Sequence, residues 1–202
     1  MTLWRGNRPL VLASRSKARQ TLLANAGIVF ESEPAAIDER TIQAASGLVA
    51  PGDIARLLAR EKARFVSAGR GGQYVIGADQ TLALGSRIFS KPAGRAQAAD
   101  QLRALAGHRH ELHAAVAVAH DGKILFEHVA IARMTMRRLS DAEIEAYLNE
   151  AGAAVTSSVG AYQLEGLGVH LFEKIEGDHF TILGLPLLPL LAFLRSEHLL
   201  GV

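Results

Sequence analysis

The chain has 202 residues, of which 49% are hydrophobic and 21% charged, and its formal net charge is +2 at pH 7. The length suits one domain over residues 1–202, and neither the small net charge nor the 5% of aromatic residues supports a nucleic-acid-binding protein. The absence of cysteine excludes disulfide bonds, zinc thiolates and thiol catalysis.

Two apolar segments are too short to act as a membrane span or an export signal. Near the N-terminus, an apolar stretch of only six residues, 9–14, precedes the next charged residue, and it is too short for a signal peptide. Residues 182–194 are apolar but contain Pro186 and Pro189, and they fall short of the roughly 20 residues that span a bilayer. We therefore expect a soluble, cytoplasmic protein without membrane association.

Hydrophobic periodicity and turn residues predict a regular alternation of strands and helices. The predicted elements are a strand at 9–13, a helix ending near 26, a helix from an N-cap at Asp53 to 68, a strand at 74–79, a hairpin arm to 91, a helix at 94–106, strands at 110–119 and 123–136, a helix at 140–150, strands at 170–175 and 179–183, and a helix from about 186. Asp121-Gly122 is a strong hairpin signal, and Ser140 with Glu143 predicts a capping box. The fold class is α/β with a mixed sheet.

A cluster of hydroxyl and basic side chains follows the first predicted strand, in the segment LVLASRSKAR. A helix start offers free backbone N–H groups and the positive end of the helix dipole, which suit phosphate oxygens. Ser14 and Ser16 add hydroxyl donors, and the cations are Arg15, Lys17 and Arg19. The segment fits a phosphate site, and the alternative is a capped helix start with solvated surface cations.

Asp79 ends the apolar run of YVIGADQ, and no cation occurs in the seven residues that follow it. A buried carboxylate is costly unless a cation, a metal or hydrogen-bond donors receive it. Ligands bind at strand ends in α/β folds, and Gly77 and Ala78 leave room for one. Asp79 is therefore either a functional carboxylate or a cap for the turn that follows.

Lys62, Glu39 and Lys91 are weaker signals when each is considered alone. Lys62 lies at the edge of an apolar helix stripe in which periodicity favours Glu61, so a lysine that extends its amine to solvent is the alternative. Glu39 belongs to the carboxylate pair of AIDER, and Lys91 to a Lys-Pro pair after a strand. Each of these two fits a solvated loop residue as well as a ligand-binding one.

The segment VGAYQLEGLG, residues 159–168, is rich in glycine. Its glycines permit close approach of a ligand, for which Gln163 and Glu165 provide polar groups. An irregular surface loop is the alternative. The eight histidines lack metal-ligand spacing on one helix face, and we interpret them as structural or exposed.

Taken together, these segments resemble the Maf family of nucleoside triphosphate pyrophosphatases, which is associated with septum formation. The matching segments run in order over nearly the whole chain: LASRSKARQTLL, IDER, LAREKA, IGADQT, SKP, LAGHRH, VGAYQLEGLG and IEGDHFTILGLPL. The resemblance implies an inosine triphosphate pyrophosphatase-like α/β fold, with a mixed twisted sheet, flanking helices and two lobes around a cleft. It also implies hydrolysis of a nucleoside triphosphate to the monophosphate and diphosphate, assisted by a divalent cation, Mg²⁺ or Mn²⁺.

The resemblance also assigns roles to individual residues. Asp79 falls on the family's catalytic carboxylate, and the positions around the triphosphate are Ser14, Arg19, Glu39, Lys62 and Lys91. Attack on the α-phosphorus needs an activated water and neutralisation of phosphate charge. Asp79 and Glu39 would be the carboxylates that hold the metal, and Asp79 would also accept the proton of the water.

Within the resemblance, three positions near the base separate subfamilies, and they fall here on Ala18, Gln80 and Glu165. Members resembling dTTP/UTP enzymes tend to have Arg, Thr and Gln there, whereas the 7-methyl-GTP type tends to have Trp, Gln and Glu. A carboxylate suits the N–H donors of guanine, but the missing Trp removes a face that would stack on a cationic base. We therefore expect a guanine-type base or a broad range of nucleotides.

The sequence departs from the usual family pattern in two places. The usual Ser-Pro-Arg-Arg is Ser-Lys-Ala-Arg at residues 16–19, and Ser157-Ser158 replace an Asp-Lys or Asp-Cys pair. Both departures bear on substrate preference more than on the reaction type. The alternatives are a pyrophosphatase that prefers 7-methyl-GTP and a nucleotide-binding regulator of cell division with little turnover. The oligomeric state stays open, with a homodimer allowed.

Overall fold

Residues 3–201, which the computed structural model describes, form alternating strands and helices around one mixed sheet. The elements are β1 (Leu10–Leu12), α1 (Lys17–Asn25), β2 (Phe30–Ser32), α2 (Glu39–Ser46), α3 (Pro51–Ser67), β3 (Tyr74–Leu84), β4 (Arg87–Phe89), α4 (Arg95–Leu105), β5 (Arg109–His120), β6 (Lys123–Met136), α5 (Asp141–Ala151), β7 (Phe172–Glu176), α6 (His179–Ile182) and α7 (Leu187–Ser196). Short 3₁₀ helices cover Gly152–Thr156, Val159–Ala161 and Leu167–Leu171. The predicted α/β class is confirmed.

The strands of the described residues form a seven-stranded sheet with the order β2-β1-β3-β5-β6-β7, and β4 also pairs with β3. β1 is parallel to β2 and β3, whereas the other pairs are antiparallel. Helix α3 packs on one face of the sheet, and α1 and α7 pack on the other. Within residues 3–201, no helix is long and apolar enough to cross a membrane.

Asp79 lies in the middle of β3 and not at its end, so the predicted strand boundary is wrong. β5 pairs with β3 from Tyr74 to Ala83, which keeps the strand extended past Asp79. On the other edge, β1 pairs only as far as Ile76, and β4 begins to pair at Leu82. Residues 77–81 therefore have one edge without a neighbouring strand.

Two other predictions were wrong, and both concern how segments begin. The predicted strand at 179–183 is helix α6, because the Asp178 side chain accepts a hydrogen bond of 2.9 Å from the Thr181 N–H and so caps a helical turn. Asp53 is not an N-cap, since α3 begins at Pro51, a residue suited to the first turn. The sequence also did not predict α2, which Asp38 caps through the N–H groups of Arg40 and Thr41.

The predicted hairpin turn and the predicted capping box are both present. The hairpin between β5 and β6 turns at Asp121 and Gly122, which have positive φ values of 47° and 74°. The capping box of α5 is present, with Ser140 and Glu143 bonded to each other's backbone. Short-range chemistry was sufficient in both cases.

Helix α3 lies unusually close to the sheet at Gly77. A Cβ atom at this position would lie 2.6 Å from the Ala63 nitrogen and even closer to the Ala59 carbonyl oxygen. Alanines of α3 and β5 pack beside it, including Ala59 and Ala117. Small residues on both surfaces thus let the helix backbone approach the strand and bring α3 side chains to the middle of β3.

We predict that Gly77→Ala destabilises the protein by about 1–3 kcal/mol, because the added methyl group must push α3 away from β3. Urea unfolding measures this change. Gly69→Ala is the matched control, since its added Cβ would lie 3.8 Å from its nearest neighbour, and we expect a change within about 0.5 kcal/mol. Equal stability of the two variants would contradict the close packing at Gly77.

Candidate functional site

A cleft of about 1340 Å³ is lined by residues 79–81 of β3, where one edge of the strand has no neighbour. Its other walls come from the start of α1, residues 34–43, α3, the end of β4, residues 157–165 and α6. All the site residues that the sequence indicated line this cleft: Ser14, Ala18, Arg19, Glu39, Lys62, Asp79, Gln80, Lys91 and Glu165. Segments far apart in the chain therefore meet at one place.

Lys62 joins two carboxylates in the floor of the cleft. Its Nζ lies 2.7 Å from Asp79 Oδ1 and 2.9 Å from Glu39 Oε1. The side chains of Lys62 and Asp79 are each 11% exposed, whereas that of Glu39 is 49% exposed. The alternative of a lysine extended into solvent is wrong, because the amine is buried against Asp79. The alternative of Asp79 as a turn cap is wrong as well, since its carboxylate binds Lys62 in mid-strand.

Burial raises the pKa of Asp79 above its ordinary value of 3.8. The positive charges of Lys62 and Arg19 act in the opposite direction, and the negative charge of Glu39 raises the pKa further. A carboxylate with a raised pKa is a better proton acceptor than an ordinary aspartate. The environment of Asp79 therefore suits a general base.

Arg19 occupies the open edge of β3. Its Nη1 donates to the Ala78 carbonyl oxygen at 2.8 Å and to Ser14 Oγ at 3.2 Å, and its Nε donates to the Gly184 carbonyl oxygen at 2.8 Å. Because β1 does not extend this far, the guanidinium supplies the donor that a neighbouring strand would have given to Ala78. Burial lowers the pKa of Arg19, while Asp79 and Glu39 raise it. Two of its three nitrogens are thus engaged with protein.

The segment SRSKAR forms a capped helix start. The Ser16 side chain accepts from the Arg19 N–H at 3.4 Å, and Ser14 Oγ accepts from the Ser16 N–H at 3.2 Å. Lys17, the first residue of α1, and Arg15 line the cleft with them. The cap was one of the two alternatives, and its position in the cleft is compatible with the phosphate site as well.

Gln80 lines the cleft and connects β3 to α6. Its Nε2 donates to the carbonyl oxygens of Thr181 and Ile182, each at 3.0 Å. Both hydrogens of the amide nitrogen are therefore used, and the partners fix its orientation. The Gln80 side chain can therefore bind a further partner only through Oε1, which is a hydrogen-bond acceptor.

The rim of the cleft is more exposed than its floor. Lys91 and Glu165 are both exposed, on the segment after β4 and on the glycine-rich loop. The sequence did not indicate Ser90, Tyr162 or His179, although all three line the cleft. They lie within the segments SKP, VGAYQLEGLG and IEGDHFTILGLPL, but no spacing distinguishes them from the other residues of those segments.

Two histidines near the start of β5, His110 and His113, are buried among protein groups. His110 is buried, its Nε2 lies 2.8 Å from the Tyr162 hydroxyl, and burial lowers its pKa to about 4. His113 is buried beside Glu111, 3.1 Å from Oε2 of that residue. The structural interpretation is confirmed for His110 and His113.

Asp79 and Glu39 could hold a divalent cation together with a bound phosphate. Among the described residues, no group of three or more His, Asp or Glu side chains could hold a metal by itself. The two carboxylates nevertheless converge on one positive charge, the Lys62 ammonium. Mg²⁺ typically binds through one or two carboxylates and completes its coordination with waters and phosphate oxygens. The donor set therefore fits a cation that a nucleotide helps to bind.

Comparison with known proteins gives a consistent family assignment. The model of the family described as "Maf-like protein" matches residues 9–197. A Bradyrhizobium diazoefficiens protein named "Nucleoside triphosphate pyrophosphatase" is 72% identical over 202 residues, the whole of both chains, and a Rhodopseudomonas palustris protein of the same name is 70% identical over the same length. A Rhizobium etli protein named "7-methyl-GTP pyrophosphatase" is 52% identical over 189 residues, which are 93% of this chain and 95% of that protein.

We predict that NMR of the carboxyl groups will show Asp79 titrating above pH 3.8. Asp38 should titrate below this pH, because backbone N–H groups donate hydrogen bonds to its carboxylate and lower its pKa. Glu39→Gln should lower the pKa of Asp79, because it removes a nearby negative charge. Lys62→Gln should raise it, because it removes the paired positive charge. Shifts of the opposite sign, or none, would contradict the described geometry.

Proposed function

The chain belongs to the Maf family, and we propose that it hydrolyses nucleoside triphosphates to the monophosphate and diphosphate in the cleft around Asp79. The observation that carries the proposal is the buried Asp79 carboxylate, paired with Lys62 in a cleft where basic groups outnumber acidic ones. Six Lys or Arg and three Asp or Glu side chains line it. Such an excess of positive charge suits a triphosphate.

Hydrolysis requires that a water molecule attack the α-phosphorus. In the proposed reaction Asp79 accepts a proton from this water as its oxygen bonds to phosphorus. The bond from the α-phosphorus to the bridging oxygen breaks, and diphosphate leaves with the electron pair. Lys62 and Lys91 would stabilise the charge on the phosphates, while Arg19, held by Ser14 and the Ala78 carbonyl, would have its Nη2 for a phosphate oxygen.

A divalent cation, Mg²⁺ or Mn²⁺, would be held by Asp79 and Glu39 and would supply further charge neutralisation on the phosphate oxygens. Lys62 would then stay beside Asp79 and keep that carboxylate oriented. The support is the convergence of the two carboxylates on one cationic position. We expect activity to depend on the added cation.

We propose a guanine-type base for the preferred substrate. Glu165 presents a carboxylate, and Gln80 has only its oxygen for a new partner. Both are acceptors, and they match the N1–H and N2–H₂ donors of guanine better than an edge that also carries acceptors. Ala18 adds no aromatic face, so 7-methyl-GTP would gain no stacking there, and we expect GTP-like and 7-methylated substrates to be used comparably.

The cellular setting of this activity follows from the substrate. Nucleoside triphosphates are cytoplasmic metabolites, and a chain without cysteine is compatible with that compartment. Neither nucleic acid nor a second copy of the chain is needed for the proposed reaction, because all the groups used lie in one cleft.

We predict that Asp79→Asn lowers the rate of diphosphate release by about 10²–10⁴-fold, because the amide cannot accept the proton of the water. The assay uses a panel of nucleotides that includes GTP, 7-methyl-GTP, dTTP and UTP, with Mg²⁺ or Mn²⁺, and a chelator as the metal-free arm. Asp53→Asn is the matched control and should leave the rate unchanged, since the Asp53 side chain is 46% exposed and lies on α3 outside the cleft.

Tight nucleotide binding by the natural protein without diphosphate release would refute the enzymatic proposal and favour a nucleotide-binding regulator. If Asp79→Asn released diphosphate as fast as the natural protein, the role of Asp79 as proton acceptor would be refuted, but the enzymatic proposal would not. Full activity in the presence of the chelator would refute the proposed requirement for a divalent cation.

We also predict that Glu165→Gln raises KM for guanine nucleotides by about 10–100-fold, because a charged acceptor is lost and the new N–H₂ group opposes donors of the base. KM for UTP should fall or stay constant, so the ratio of the two specificity constants is the informative quantity. Glu173→Gln, at an exposed position of β7 outside the cleft, is the control. An unchanged ratio in Glu165→Gln would contradict base recognition by Glu165.

A further inference from the structure

Gln101 is a buried polar residue that the proposed reaction does not use. It lies on α4 and is only 4% exposed. Its Nε2 donates to the Ser90 carbonyl oxygen at 2.8 Å, and its Oε1 accepts from the Gly160 N–H at 3.0 Å. One side-chain amide therefore joins segments of two different loops, which are about 70 residues apart in the chain.

Both of these segments reach the cleft. Ser90 lines it together with Lys91, the next residue in the chain, which the proposed function assigns to the phosphates. Gly160 lies between Val159 and Tyr162, which also line it, and the same loop continues to Glu165, which the proposed function assigns to the base. Gln101 thus lies behind the cleft wall, between its phosphate end and its base end.

The backbone of the glycine-rich loop, residues 159–168, has an unfavourable conformation that such hydrogen bonds stabilise. Gly160 has φ 79°, and a Cβ atom there would lie 2.6 Å from Leu82 Cδ1. Ala161 has φ 61°, a conformation that residues with a side chain rarely adopt unless their surroundings impose it. The bond from the Gly160 N–H to a buried acceptor is one of the contacts that hold this conformation.

Two other side chains hold the same loop. The Tyr147 hydroxyl donates to the Ala161 carbonyl oxygen at 3.2 Å, and the Tyr162 hydroxyl lies 2.8 Å from His110 Nε2. Gln101 differs from both because its amide also binds the Ser90 carbonyl oxygen. It is therefore placed to couple the position of the loop to that of the Lys91 segment.

We propose that Gln101 is a positioning residue that couples the base-side loop to the Lys91 segment, so that base recognition and phosphate placement depend on each other. The inference rests on the proposed function for the roles of Lys91 and Glu165. The Gln101 amide is buried, and both its Nε2 and its Oε1 are hydrogen-bonded. Its removal would leave the buried Gly160 N–H without its acceptor and the Ser90 carbonyl oxygen without this donor. Removing it should disturb both ends of the cleft at once.

The first experiment measures discrimination between bases. Gln101→Met keeps the length of the side chain and removes both hydrogen bonds. The ratio of kcat/KM between the best and the poorest nucleotide of the panel should then fall about tenfold or more. The reason is that small misplacements near a reaction centre cost up to about 10²-fold in rate. A residue needed only for folding would lower both values together and leave the ratio constant.

Gln73→Met is the matched control. Gln73 is also buried, and its Nε2 donates to the Pro9 carbonyl oxygen at 3.1 Å, but it does not line the cleft or contact its loops. This variant also loses a buried side-chain hydrogen bond to the backbone, and we expect an unchanged discrimination ratio. Equal effects of the two substitutions on the ratio would overturn the proposal.

The second experiment does not depend on catalysis. Inorganic tripolyphosphate, which can occupy only the phosphate end of the cleft, should slow hydrogen exchange of the Gly160 amide in the natural protein. In Gln101→Glu, which keeps an acceptor for Gly160 but loses the donor to Ser90, this response should disappear. An unchanged exchange rate in the natural protein with bound tripolyphosphate would overturn the coupling, even if Gln101→Met does not fold.

The two experiments also separate the coupling from the proposed function. If the natural protein hydrolyses no nucleotide while tripolyphosphate still slows exchange at Gly160, the proposed function fails and the coupling stands. If hydrolysis proceeds and Gln101→Met discriminates between bases as the natural protein does, the coupling fails and the proposed function stands.

Discussion

The ion pair between Lys62 and Asp79 is the contact on which the arrangement of the cleft depends. A carboxylate in the middle of a buried strand is unfavourable unless a cation receives it, and Lys62 does so at 2.7 Å. The lysine reaches Asp79 because α3 lies against β3 at Gly77. Glu39, at the start of α2, completes the group and so connects a third element to the same ammonium.

The unpaired edge of β3 explains why the cleft lies where it does. Neither β1 nor β4 pairs with residues 77–81, so backbone groups along this edge need other partners. Arg19 binds the Ala78 carbonyl oxygen, and the Gln80 side chain binds carbonyl oxygens of α6. The walls of the cleft are therefore attached to β3 by side chains, and the gap between two strand partners opens into the cleft.

Much of the fold could be predicted because its signals are local. The Asp121-Gly122 turn and the Ser140 capping box depend on a few adjacent residues, and both are present. Segments that depend on distant partners were predicted less well: β3 continues past Asp79 because β5 pairs with it, and no pattern in YVIGADQTLAL indicates that partner. No sequence pattern indicates Gln101 for the same reason, since its two partners come from other parts of the chain.

By itself the sequence determined the α/β class, the ordered motifs of the Maf family and the residue types of the cleft, because these depend on composition and local spacing. Its periodicity favoured Glu61 over Lys62 on their helix, and it left open whether Asp79 capped a turn. Those questions depend on how close α3 lies to β3 and on where β1 stops. Only the tertiary structure decided them, because burial and charge pairing are set by residues that are distant in the chain.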